Sequence, residues 1–213
     1  GPHSLFDSTL VPTARGKTAA LPGIRNVIPA PFLAPRLAAA SACTLFSATL
    51  SPWHFYCDTL GLPDDVAWVE AQSPFEASQL EVRIERRIST RYRDRAASLP
   101  AMTEVIGNEY TKHPGNYLAF FSSFDYLQQA HEALRARFPD IPTWTQSRGM
   151  DEAAREAFLA RFHAGGKGIG FAVLGGAFGE GIDLEGERLV GAFIATLGLP
   201  QVKPFNEEIK ARM

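Results

Sequence analysis

Three apolar runs, Tyr117–Phe121, Gly170–Leu174 and Leu189–Leu197, have the length and uniformity of strands buried on both faces. Between them the period lengthens to that of helices. Phe124–Phe138 reads as one helix, and Asp151 caps a second that runs to about His163, with Glu152 and Glu156 near its positive end. Pro142–Thr145 is a short strand between those two helices, and Gly165–Gly168 is the turn into the Gly170 run. A longer helix from about Tyr92 to His113 precedes the first run and stops at Pro114-Gly115. Strands alternating with helices predict an α/β fold, a parallel sheet wound with helices on both faces.

The first third of the chain is less regular. Residues 5–35 carry Pro12, Pro22, Pro29, Pro31 and Pro35 and read as an extended, irregular lead-in. A short Ala-rich helix (Arg36 to Ala42) and a strand (Cys43 to Ala48) follow. Ser51 as N-cap and Pro52 at the first position open a helix that runs to about Leu60 and ends at Gly61. From Leu80 to Ile88 apolar and charged residues alternate strictly, the pattern of a half-buried strand. Arg83, Arg86, Arg87, Arg91, Arg93 and Arg95 crowd this stretch, interrupted by Glu81, Glu85 and Asp94. The run is either a solvated, salt-bridged face or a contact to a nucleic-acid backbone.

Composition excludes more than it names. A chain of 213 residues with 46% hydrophobic content builds one or two cored domains, and a net charge of −2 gives no overall attraction for nucleic acid. Cys43 and Cys57 alone can hold neither a structural zinc nor an iron–sulfur cluster, and no disulfide framework is present. The histidines show no ligand spacing, so no metal site is expected. No stretch reaches the roughly 18 apolar residues of a membrane span, and no signal-peptide pattern opens the chain. Gly1-Pro2-His3-Ser4 looks like the scar of a cleaved tag, so an excised piece of an intracellular protein is expected.

The densest candidate for chemistry is Gly176-Ala177-Phe178-Gly179-Glu180-Gly181-Ile182-Asp183, directly after a predicted strand. Glycines there let backbone amides approach a ligand at the carboxyl end of the sheet, where open α/β folds bind. They serve equally in a plain turn that needs positive φ. The spacing is neither G-x-G-x-x-G nor a P-loop. Arg15-Gly16-Lys17-Thr18 imitates the end of a Walker A loop, but Val11 stands where its first glycine belongs. Ser122 and Ser123 follow the Tyr117 strand and can donate to a phosphate or cap the next helix.

Five elements in order carry a family resemblance. Leu45-Phe46-Ser47-Ala48-Thr49-Leu50-Ser51-Pro52 resembles motif III of superfamily 2 helicases, in the form of the DinG and xeroderma pigmentosum group D helicases. Ser73-Pro74-Phe75 is similar to an element of that family, residues 115–124 to motif IV, residues 176–183 to motif V, and Gly198-Leu199-Pro200 to the end of the next strand. Gly179 stands where motif V usually has Ser. The Gln and Gly-Arg pair of motif VI would follow Pro200 and is not found before Met213.

The resemblance implies a RecA-like fold. Residues 5–51 would be the lead-in and last strand of a first motor domain, and residues 52–213 a second RecA-like motor domain lacking motif VI. It implies the parent's activity: ATP-dependent translocation on single-stranded DNA, 5′ to 3′, in DNA repair or replication, in the cytoplasm or on the nucleoid. The parent would use ATP and Mg²⁺ and could carry an iron–sulfur cluster outside this piece. The piece itself would be inactive and would work with the first motor domain. Gly179, Glu180, Gly181 and Asp183 would then face the interdomain nucleotide cleft. Ser47 and Thr49 would couple the domains, and Ser122 and Ser123 would touch DNA. The other class left open is a non-catalytic nucleic-acid-binding or scaffold module on a helicase-derived fold. A Walker A motif upstream and a Gln-x-x-Gly-Arg motif downstream in the parent reading frame would decide for the motor.

Overall fold

The computed structural model describes residues 4–13, 17–175, 178–179, 182–197, 207 and 209–211. By contacts the chain divides into two compact units, Gly1–Gln79 with Gln201–Met213, and Leu80–Pro200.

In the first unit, β1 (Ser4–Pro12) and β2 (Thr18–Asn26) form a two-stranded antiparallel ribbon, with Phe6 opposite Ile24 and Leu10 opposite Ala20. This corrects the expectation of an irregular lead-in, and hydrogen-bond parity explains why the prolines are tolerated. Thr13 N donates to Lys17 O at 2.7 Å. Alternating outward from that pair puts Pro12 (opposite Thr18) and Pro22 (opposite Ser8) in the pairs that exchange no bonds, so neither removes a rung. Helix α1 (Ala30–Ala38) begins before the predicted Arg36, because Pro31 falls in its first turn, where a missing N–H costs nothing. Helix α2 (Trp53–Leu60) ends as expected at Gly61, whose φ of 68° is left-handed and whose N–H reaches Cys57 O at 2.9 Å. Its N-cap is Pro52 and makes no side-chain capping bond, so Ser51 does not have the predicted role. Cys43–Ala48 forms no strand.

The second unit carries the sheet. Helix α3 (Arg95–Lys112) leads into β3 (Asn116–Phe121), followed by α4 (Phe124–Arg137), β4 (Thr143–Thr145), α5 (Glu152–Ala160), β5 (Gly168–Val173) and β6 (Gly191–Ile194). The four strands lie in the order β4-β5-β3-β6, and all three pairings are parallel. Side-chain alternation sorts the core into two layers. Tyr117, Ala119 and Phe121 of β3, with Ile169 and Phe171 of β5, pack under α3 and α4 against Ile106, Leu127 and Leu134. Leu118, Phe120 and Ala172 point the other way, onto Trp144, Phe158, Phe162 and Phe178. Helices on both faces of a parallel α/β sheet are thus what the chain forms.

The alternating Leu80–Ile88 segment makes no strand, although its period was read correctly. Leu80, Val82 and Ile84 are 72%, 70% and 81% exposed, and only Ile88 packs against the core. Alternation predicts a strand only where a neighbouring backbone offers a ladder, and among the described residues none pairs with this segment.

His131 on α4 supplies a pH-dependent element. Its Nε2 lies 2.8 Å from Thr143 Oγ1 and its ring meets Phe171 edge-on. Burial pushes the imidazole below its ordinary value, Arg135 adds to the shift, and Glu132 opposes it. An unfolded histidine takes up its proton near pH 6.5, the folded one only at lower pH. Between those values the unfolded state binds more protons, so stability falls as pH drops through about 6.5. Urea midpoints of the wild type should decline from about pH 7 to 5.5, and those of His131→Gln should decline less. Parallel declines would remove His131 from the explanation.

Candidate functional site

All four strands end on one edge of the sheet, so the loops after Phe121, Thr145, Val173 and Ile194 leave from a common side. Ser123 caps α4: its φ of −160° and ψ of 159° are extended, and its Oγ accepts from Tyr126 N at 3.3 Å. Ser122 does something different. Its Oγ accepts a 2.7 Å bond from Arg95 Nη2 at the start of α3, while Arg95 Nε donates to Thr90 O at 3.1 Å. The Arg95 guanidinium lies 4.5 Å from the centre of the Tyr126 ring and 5.5 Å from that of Tyr92. Next along the edge, Arg148 pairs with Asp125 at 2.8 Å and lies over the Phe124 ring. Gln146 closes the β4 end, accepting from Val173 N at 2.8 Å.

The glycine-rich segment attaches to the other face. Phe178 is buried and stacks on Phe158 at 4.3 Å, and Ile182 and Leu184 pack against the same layer. Gly179 and Asp183 are exposed between these anchors, while Glu180 and Gly181 lie outside the described residues. The connection then descends to the opposite edge. There Asn116 Nδ2 donates to Glu187 O at 3.2 Å and to His163 O at 2.8 Å, and Arg188 Nε donates to Phe162 O. Ser122 and Asp183 are therefore held on opposite faces of the sheet, the serine through α3 and the aspartate beside residues that pack toward α5.

In the first unit Ser47 and Thr49 are exposed. Ser47 Oγ accepts from Thr49 N at 3.2 Å, and Tyr56 OH of α2 donates to Thr49 O at 2.8 Å. The pair thus forms a small side-chain-braced turn rather than the end of a strand.

The arginine run resolves into two sets. Arg83 pairs with Glu81 and Glu109, Arg87 with Glu85, and Arg93 with Asp94. The hydrogen bonds from Arg87 hold the Glu85 carboxyl down at about 2, and Arg83 lowers Glu81 in the same way. Arg86, Arg91 and Arg95 have no carboxylate partner among the described residues. The residue that reading the sequence missed is Arg95, counted there as one of six. Spacing gave no signal for it, since Asp94 stands directly before it and its partner Ser122 lies 27 positions on.

A shallow polar groove of about 550 Å³, lined by Glu81, Arg83, Glu109, Lys112, His113 and Val190 among others, lies at the opposite edge, where β3 begins. Among the described residues no cluster of ligands fit for a metal is present, and no helix is long and apolar enough to cross a membrane.

The sequence from residue 106 to residue 213, just over half of the chain, matches the family model of the helicase C-terminal domain. The chain belongs to that family. The matched span takes in the end of α3 from Ile106 and every strand of the parallel sheet, so the helicase C-terminal domain carries Ser122, Ser123, Gly179 and Asp183. The ribbon, α1 and α2 precede the match.

Proposed function

We propose that this chain supplies the second motor domain of an ATP-dependent DNA helicase of the DinG and xeroderma pigmentosum group D kind. It would act on single-stranded DNA, 5′ to 3′, in repair or replication, in the cytoplasm or on the nucleoid. The observation that carries the reading is the helicase C-terminal match over a sheet whose shared edge presents Ser122 beside a cation, Arg95, that has no carboxylate partner among the described residues.

The chain's own residues do not fit a complete nucleotide site. Lys17 lies in the turn of the β1–β2 ribbon, its carbonyl accepting from Thr13, and Thr18 opens a strand where a P-loop requires a helix. ATP and Mg²⁺ therefore call for residues of another domain. Gly179, Glu180, Gly181 and Asp183 are this chain's contribution to that cleft, Ser47 and Thr49 the turn that couples the two domains, and Ser122 and Ser123 the contact to the strand. An iron–sulfur cluster, where the parent has one, would sit elsewhere, since the two cysteines here are free. The second reading is a nucleic-acid-binding or scaffold module with no motor role.

Steady-state ATPase assays separate the readings. The 213-residue chain alone should show none above background. In the chain joined to its nucleotide-binding domain, Asp183→Ala should lower the DNA-stimulated rate at least about tenfold, roughly 1.4 kcal/mol of transition-state stabilisation, with an unchanged circular dichroism spectrum. An unaltered rate would leave the glycine-rich segment a purely structural connection.

A further inference from the structure

We propose that Arg95, Ser122 and Tyr92 form a binding corner for a single nucleic-acid strand, with the phosphodiester on Arg95 and Ser122 and a base stacked on the Tyr92 ring. The proposal deepens the motor reading and rests on it.

Arg95 is held in place by neutral groups alone. Of its five N–H donors, Nε is engaged by Thr90 O and one hydrogen of Nη2 by Ser122 Oγ, which leaves three without an acceptor among the described residues. The acids flanking the corner are occupied: Asp94, directly before Arg95, takes a hydrogen bond from Ser89 Oγ at 2.7 Å and pairs with Arg93, and Asp125, three residues after Ser122, is held by Arg148. The Tyr126 ring beneath the guanidinium fixes its plane, and that ring is itself buried in the core under α3 and α4. A half-buried fork whose charge no described carboxylate neutralises is suited to a phosphate, which it can meet with two parallel donors.

Ser122 fits the same ligand. Because its oxygen accepts from Arg95, its own hydrogen is left to donate outward to a phosphate oxygen. Tyr92 is 87% exposed and stands beside the guanidinium, so a strand laid on Arg95 finds an aromatic face within one nucleotide. Stacking of that kind accepts any base and suits a protein that reads strands without sequence preference. Arg91, in the same turn and without an ion pair among the described residues, adds a second positive charge for the neighbouring phosphate. The paired Arg83 and Arg87 are excluded from the corner by the same bookkeeping.

The test is fluorescence anisotropy of a labelled twenty-nucleotide oligothymidylate with the 213-residue chain, between about 50 and 200 mM salt. Wild type should bind in the range of about 1–100 μM typical of non-specific contacts. Arg95→Ala should weaken binding about fivefold or more and reduce the slope of log Kd against log salt by about 0.7, the value for one single-strand phosphate. Arg95→Gln removes the charge and keeps a polar side chain of similar bulk, so it separates lost charge from lost folding and should behave like the alanine variant. Tyr92→Ala should weaken binding about fivefold or more with the slope unchanged, as removal of a stacked base requires. Arg87→Ala, which removes a paired charge, should change affinity less than about twofold.

Wild-type binding with unchanged affinity and slope in Arg95→Gln and Tyr92→Ala would overturn the corner and leave the motor reading standing. No binding by wild type at about 50 mM salt would overturn both. A fluorescent ATP analogue that binds and is lost in Arg95→Gln, with oligothymidylate binding intact, would assign the phosphate to a nucleotide and overturn the strand.

Discussion

Phe171→Ala is expected to cost the sheet unit about 3–5 kcal/mol, the range for removing a fully buried phenyl ring from a core that cannot collapse into the space. Phe171 has no exposed surface and lies on β5 between two neighbours. On one side its ring stacks on Phe121 of β3 at 5.6 Å with an interplanar angle of 3°, and on another the His131 ring meets it at 5.1 Å. Both partners are fixed, Phe121 by its place in the central strand and His131 by its bond to Thr143, so neither can swing in to fill the void. A domain stable by about 5–15 kcal/mol would lose a large part of its margin. Urea denaturation followed by far-ultraviolet circular dichroism measures the loss. A change below about 1 kcal/mol would mean that the two aromatic layers repack freely.

Gly170→Val is the corresponding test of the other face. A Cβ at Gly170 would stand 2.6 Å from Phe162 Cζ and 3.0 Å from both Phe158 Cζ and Trp144 Nε1. These three rings lean on one another, with Trp144 4.8 Å from Phe162 and Phe162 5.8 Å from Phe158 between centres, so none gives way without moving the next. Overpacking of this kind costs about 1–3 kcal/mol, and valine adds two methyls beyond the clash of the Cβ itself. The same denaturation experiment should rank wild type above Gly170→Ala and Gly170→Val lowest. Equal stabilities would show that α5 can lift off the sheet at little cost.

How much of this was legible in the sequence depends on where each segment finds its partners. Tyr117–Phe121 and Gly170–Leu174 were readable because a strand buried on both faces must be apolar at every position, whatever packs on it. Phe124–Arg137 and the Asp151 cap were readable because their determinants are local: Asp151 Oδ1 does accept from Ala154 N, at 2.8 Å. The β1–β2 ribbon was not, because its prolines look like breakers until the pairing register is known. Leu80–Ile88 failed for the opposite reason, since its alternation is real and a strand partner is not. At the site, Ser122 and Ser123 were read as a pair with two roles, phosphate donor and helix cap, and the structure gives them different partners: Ser123 caps the helix, Ser122 meets Arg95. No spacing rule could have joined Ser122 to a residue 27 positions earlier.

Asn116 opens the six residues of β3 and Ser122 follows the last, and this gives the central strand a mechanical part. At its start, the Asn116 side chain grips the carbonyls of His163 and Glu187, and its main-chain oxygen accepts from Val190 N. At its end, about 20 Å away at the rise of an extended chain, Ser122 grips Arg95. The connection that carries Asp183 is thus moored to one end of a stiff rod, and the arginine corner to the other. A pull on the moored connection loads β3 along its length, the direction in which a strand flanked by two hydrogen-bonded neighbours gives least.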